Sequence, residues 1–175
     1  MGELLRRYWH PVALVSDATD TPRKLRVLGE DLILFRTTGK RDGTGEIGLV
    51  HRQCPHRRAS LAFGKCEDRG IRCCYHGWQF DIDGTILDTP GEAPDSTLKH
   101  KIRQGAYPAH EWKGVVFAYM GPGDPPAFPR FDCFAAPDSH VVRAYPGSRP
   151  GQPPAPVSPA QCGPVPHRCT SRGRL

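Results

Sequence analysis

Cys54-Pro55-His56-Arg57-Arg58 and Cys73-Cys74-Tyr75-His76-Gly77-Trp78 decide how this 175-residue chain is read. Taken as metal donors, they give Cys-x-His, a gap of sixteen residues from Arg57 to Arg72, then Cys-x-x-His. Two thiolates and two imidazoles suit a tetrahedral zinc ion. The order favours a different centre. Each short loop carries one Cys and one His, whereas zinc fingers usually pair Cys with Cys and His with His. One of each from two loops is the donor set of a [2Fe–2S] centre in which two cysteines hold one iron and two histidines the other. Both readings rest on Cys54, His56, Cys73 and His76.

The flanking sequence is built for strands. Lys24 to Leu28 and Leu32 to Arg36 are β-rich runs around Gly29-Glu30-Asp31, which reads as a hairpin. Gly39 to Glu46 is a polar loop, and Ile47 to His51 leads into the first donor loop as Ile71-Arg72 leads into the second. Trp78 to Ile82 and Thr85 to Leu87 flank Asp83-Gly84, a two-residue hairpin signal. After a polar connection from Asp88 to Lys101, Ala106 to Pro108 and Val115 to Tyr119 supply the last strands. Before all of these, Leu4 to Ala13 is a short helical or extended lead-in closed by Pro11, because the residue before a proline avoids helix. Short strands with turn signals between them, and no long 3.6-period segment, specify an all-β domain. The two donor loops then become hairpin tips on a rigid sheet scaffold.

Composition bounds the setting. The chain is long enough for one domain with a real core. No apolar run approaches the ~20 residues that span a bilayer, and Met1 to His10 has no apolar signal core. A cytoplasmic protein without a membrane partner is the reading. Cys66, Cys74, Cys133, Cys162 and Cys169 form no evident disulfide framework, which suits a reducing compartment. The formal charge of +6 is unevenly spread. Five arginines (143, 149, 168, 172, 174) and no acid follow Asp138, leaving 19 basic against 18 acidic residues before it. The aromatics do not cluster beside that basic region, so a nucleic-acid partner is not indicated. Eight prolines fall between residues 146 and 166, mixed with Gly, Ser and Gln. A segment so poor in apolar residues cannot offset its ordering entropy and reads as disordered.

With His56-Arg57 after the first pair and Tyr75-His76-Gly77-Trp78 at the second, the chain closely resembles the Rieske domain of aromatic ring-hydroxylating oxygenases. The oxygenase component of phthalate-type dioxygenases is the nearest likeness. Tyr8-Trp9, followed by Pro11-Val12-Ala13, belongs to the same resemblance. It implies stacked antiparallel sheets with two cluster-binding loops, and a [2Fe–2S] cluster held by Cys54, His56, Cys73 and His76. It implies a flavin/iron–sulfur reductase or a ferredoxin as electron donor, and intact oxygenase subunits as further partners. Many relatives carry proline where this chain has Cys74, so the metal is assigned to Cys73 and Cys74 is treated as a small apolar filler. Pro55 presets the first loop, and Gly77 lets backbone approach the cluster. Trp78 reads as a core aromatic, Tyr75 as a hydrogen-bonding or packing residue, and Arg57 and Arg58 as a docking surface. His10, His51, His100, His110, His140 and His167 read as ordinary histidines.

In the resembled oxygenases a catalytic domain follows, with mononuclear Fe(II) on two histidines and one carboxylate. The likeness here stops near Tyr145, and with no Asp or Glu after Asp138 the remaining segment has no carboxylate for such a site. No catalytic residue is therefore assigned, and a truncated or frameshifted oxygenase is the expectation. The chain divides into a lead-in (1–23), the Rieske domain (24–124), a linker to the missing catalytic domain (125–147) and a disordered tail (148–175). A free-standing Rieske ferredoxin is the alternative, and a structural zinc module the third reading.

Overall fold

The computed structural model describes residues 2–39, 45–93 and 95–130. Ten strands, all paired antiparallel, form three small sheets among these residues. The first contains β1 (Trp9–Leu14), β9 (Ala109–Trp112) and β10 (Val115–Tyr119), in the order β1-β10-β9. The second is β2 (Arg23–Val27), β3 (Glu30–Arg36) and β4 (Ile47–His51). The third is a four-stranded meander of β5 (Lys65–Cys66), β6 (Ile71–Arg72), β7 (Gln79–Phe80) and β8 (Ile86–Asp88). Helices are single turns, α1 at Gly2–Arg6 and α2 at Leu98–Lys101.

The middle sheet explains why the sequence reads Leu32-Ile33-Leu34-Phe35 without a polar break. Side chains alternate across a strand, and both faces of β3 are covered, so all four residues are fully buried. Leu32 and Leu34 join Leu49, Val116 and Ala118 on the side of the first sheet. Ile33 and Phe35 join Val50, Ile71, Phe80, Cys54, Cys73 and Trp78 on the side of the meander. The donor loops thus stand on the second of these two core layers. Each fully buried large apolar side chain contributes about 1.5–3 kcal/mol.

Several boundaries differ from the sequence expectation. Pro11 does not close the N-terminal segment. It lies inside β1, beside the irregularity between Pro11 and Ala13, and β1 pairs with β10 as an edge strand, where a proline costs the ladder least. The first hairpin turns at Leu28-Gly29, since Glu30 already pairs with Val27. Asp83-Gly84 is part of a wider turn: the Gly84 N–H donates to Asp81 O and the Asp81 N–H to Thr85 O, which holds the flanking strands to Gln79–Phe80 and Ile86–Asp88. Ala106 makes only an isolated bridge to Val50; the strand is Ala109–Trp112, because the chain reverses at Lys113-Gly114, both in the left-handed region. Part of the polar loop before Glu46, most of the linker and all of the tail lie outside the described residues.

A polar network fastens the N-terminal helix to the middle sheet. Arg6 Nη1 lies 2.5 Å from Glu30 Oε1, the Tyr107 hydroxyl donates to Glu30 Oε2 at 2.6 Å, and His51 Nε2 is 3.3 Å from the same oxygen. Burial pushes the Glu30 carboxyl up, but Tyr107 and Arg6 together outweigh it and hold the group below its usual range.

Candidate metal centre

The two donor loops are the same backbone structure used twice. Each is a six-residue tip between paired residues: Gln53 with Ser60 for the first, Arg72 with Gln79 for the second. In the first, the Cys54 N–H donates to Ala59 O and the Arg58 N–H returns to Cys54 O, both at 2.9 Å. In the second, the Cys73 N–H donates to Trp78 O at 2.8 Å and the Gly77 N–H returns to Cys73 O at 3.1 Å. The fifth residue of each turn is left-handed, Arg58 at φ 57° and Gly77 at φ 74°. The second turn uses the residue type that enters this region without a Cβ penalty; the first does not.

Superimposing the turns in this way brings Cys54 into register with Cys73, but sets His56 one place earlier than His76. The side chains sort accordingly. Cys54 and Cys73 are buried, at 2% and 3% exposure, in the same core layer. Burial, reinforced by Cys73, raises the Cys54 thiol well above its ordinary value, so it does not ionise unaided. The imidazoles form a second pair nearer the solvent, His56 half-buried and His76 exposed, with ring centroids 4.6 Å apart at 60°. His56 also lies flat on Trp78, centroid to centroid 4.6 Å and interplanar angle 4°. Tyr75, 61% exposed, leans on His76 at 3.8 Å.

These groups fit a dinuclear cluster. The donors come as a thiol pair and an imidazole pair, and among the described residues no three His, Cys, Asp or Glu side chains gather around a single point. One tetrahedral zinc would need all four together. The Trp78 Nε1 N–H is buried without an acceptor, in the core layer that also holds Cys54 and Cys73, and a sulfide-containing group there would satisfy such an orphaned donor.

Trp78, 1% exposed, is a core aromatic as the sequence indicates, but it is also the platform under His56. Cys74 is not a filler: it is exposed, because the turn points its second residue outward while the first is buried. Arg57 and Arg58 are both exposed. His10, His51, His100 and His110 take no part in the paired donor set, while His140 and His167 lie outside the described residues. Sequence reasoning missed Arg72. Its half-buried guanidinium lies under the second turn and donates to Gly77 O at 2.6 Å. The missing signal was the register of two-residue strands, which no periodicity reveals.

Among the described residues no helix is long and apolar enough to cross a membrane. The family model described as "Rieske [2Fe-2S] domain" matches residues 8–112. The chain is 55% identical over 138 residues to the oxygenase subunit of tert-butanol monooxygenase / tert-amyl alcohol desaturase from Aquincola tertiaricarbonis, covering 78% of this chain and 28% of that protein. It is 44% identical over 145 residues to the oxygenase subunit of phthalate 4,5-dioxygenase from Pseudomonas putida, covering 81% and 31%. Among solved structures, an oxygenase–ferredoxin complex of carbazole 1,9a-dioxygenase matches with TM-score 0.58 and 31% identity, covering 69% of this chain and 30% of that one. The chain thus spans less than a third of these relatives' length.

Proposed function

The chain belongs to the Rieske [2Fe-2S] domain family, and from that membership we propose that it is the electron-accepting domain of a ring-hydroxylating oxygenase. Electrons arrive from a flavin/iron–sulfur reductase or a ferredoxin and leave for a mononuclear iron site carried elsewhere. The observation that carries this reading is the matched pair of turns, with two buried thiols behind two imidazoles that approach the surface. When bound, the cluster takes up and releases one electron at a potential of roughly −150 to +300 mV, above that of all-cysteine centres.

The residues divide the work. Cys54 and Cys73 would hold the cluster as thiolates in the buried layer, the metal's positive charge favouring the ionised form that burial disfavours. His56 and His76 would be its neutral donors on the solvent side, giving the centre less negative charge, and so a higher potential, than four thiolates would. Trp78 fixes the plane of His56 and excludes water behind it. The exposed ring of His76 offers the short exit for an electron. Arg57 and Arg58 present positive charge next to the first turn for an acidic redox partner, such as the ferredoxin that the carbazole complex contains. Residues 24–124 make up the working domain, 1–23 pack on it, and 125–147 lead toward a catalytic domain.

The oxygenase reading is favoured over a free-standing ferredoxin by β1, whose pairing with β10 builds the Tyr8-to-Ala13 phrase into the first sheet. The test is anaerobic reduction of the reconstituted chain by NADH through a phthalate-type reductase. Expected are bleaching of the visible absorbance and no product from an added aromatic acid. Failure of both reductase and ferredoxin to reduce the centre would contradict the electron-accepting role.

A further inference from the structure

Arg72 immediately precedes Cys73 and ends β6, a two-residue strand paired on both sides. It stands opposite Lys65 on β5 and Gln79 on β7, and Gln79 stands opposite Asp88 on β8. Its guanidinium therefore reaches across most of the meander. Nε and Nη2 clasp the two oxygens of Glu67 at 3.0 and 3.1 Å. Nη2 also donates to Gln79 Oε1 at 2.7 Å, and Nη1 to Asp88 Oδ2 at 2.8 Å. The remaining N–H, on Nη1, donates to the carbonyl of Gly77 at 2.6 Å. An arginine has five N–H donors in a fixed fork, and all are used here; a lysine has three on one atom and cannot reproduce the set.

Gly77 is the left-handed residue that closes the second turn. Holding its carbonyl fixes the plane of the next peptide, because that peptide is rigid. The next residue is Trp78, whose ring carries His56 of the other turn. One guanidinium thus connects the meander to the second turn directly and to the first through Trp78. No side chain among the described residues holds the corresponding carbonyl of Arg58. Around Arg72 lie two carboxylates, Glu67 and Asp88, each at least half-shielded from water, and a second cation, the exposed Lys65, whose Nζ is 4.0 Å from Glu67 Oε1. A reduced cluster carries one more negative charge, so the guanidinium favours the reduced form and the carboxylates oppose it.

Building on the cluster reading above, we propose that Arg72 is the positioning residue of the centre: it clamps the Gly77 carbonyl, locks the second turn and the Trp78 platform, and balances charge beside the cluster. The test uses the full chain with three readouts. Hydrogen exchange of the Cys73–Trp78 amides in the metal-free protein is expected to speed up by about tenfold in Arg72→Lys, the loss of one charge-assisted hydrogen bond. In the loaded protein, the same variant is expected to lose its cluster to a chelator about tenfold faster. The midpoint potential is expected to fall in Arg72→Gln and to rise in Asp88→Asn, which keeps the Gly77 clamp. Opposite shifts distinguish a charge role from mere scaffolding. Unchanged exchange and unchanged potentials would overturn the proposal, and if Arg72 variants do not fold, an unchanged potential in Asp88→Asn overturns the charge role by itself. A wild-type chain that binds no [2Fe–2S] cluster would instead defeat the functional reading, and faster exchange in Arg72→Lys would still support the clamp.

Discussion

The first and second donor turns share two backbone hydrogen bonds and a left-handed fifth residue, yet hardly a side chain corresponds. Ala59 stands where the second turn has Trp78, Arg58 where it has Gly77, and Gln53 where it has Arg72. What the two have in common is a backbone shape that buries its first residue, the cysteine. What differs is where the histidine falls. At the third position His56 folds inward onto Trp78; at the fourth His76 faces solvent. The second turn therefore carries the support for both, and the first contributes two exposed arginines. Equal backbone geometry does not mean equal energetic roles.

The sharpest way to break this comparison is to remove a cysteine from either turn. Cys54→Ser and Cys73→Ser should each abolish the visible cluster absorbance, whereas Cys74→Ser should keep it; loss in Cys74→Ser would move the ligand to the exposed neighbour. Cutting Trp78 down to the alanine of the first turn comes next. Trp78→Ala should cost about 3–5 kcal/mol in a denaturant melt, and Ala59→Gly far less. Third, His56→Cys or His76→Cys should drive the midpoint potential down toward the about −400 mV of all-thiolate clusters. An unchanged potential with an intact cluster would show that the imidazole is not a ligand. Fourth, Arg57→Glu with Arg58→Glu should slow reduction by an acidic ferredoxin about tenfold at low salt, with the difference fading as salt rises. The smallest effect compares the left-handed positions. Arg58→Gly should stabilise the chain by up to about 1 kcal/mol, and Gly77→Ala should destabilise it by about 1–2 kcal/mol.

Much of this was legible in the sequence, and for identifiable reasons. Donor spacing is local, so Cys54, His56, Cys73 and His76 stand out without any fold. The Leu32–Arg36 run announced a strand, though not that both its faces are covered, and short runs between turn residues announced the all-β class. The chain's likeness to ring-hydroxylating oxygenases is matched by the relatives found, although one of them is named for an aliphatic alcohol rather than an aromatic acid. What stayed hidden depends on tertiary register. Ala106–Pro108 reads as the strand, yet the strand is Ala109–Trp112, because the deciding turn at Lys113-Gly114 puts a lysine in an unusual conformation. Cys74 and Cys73 are identical letters, and only the direction of the turn separates the exposed one from the buried one. Arg72 gathers partners from three other strands or their ends, and two-residue strands give no period from which to foresee it.

The central claim, that each turn gives one thiolate and one imidazole to a single [2Fe–2S] cluster, is tested most directly by metal analysis with nitrogen hyperfine spectroscopy of the reduced, reconstituted chain. The expected result is two irons and two labile sulfides per chain, with coupling from two histidine nitrogens that becomes one in His56→Cys or His76→Cys. A colourless protein with stoichiometric zinc, or a cluster without nitrogen coupling, would contradict it.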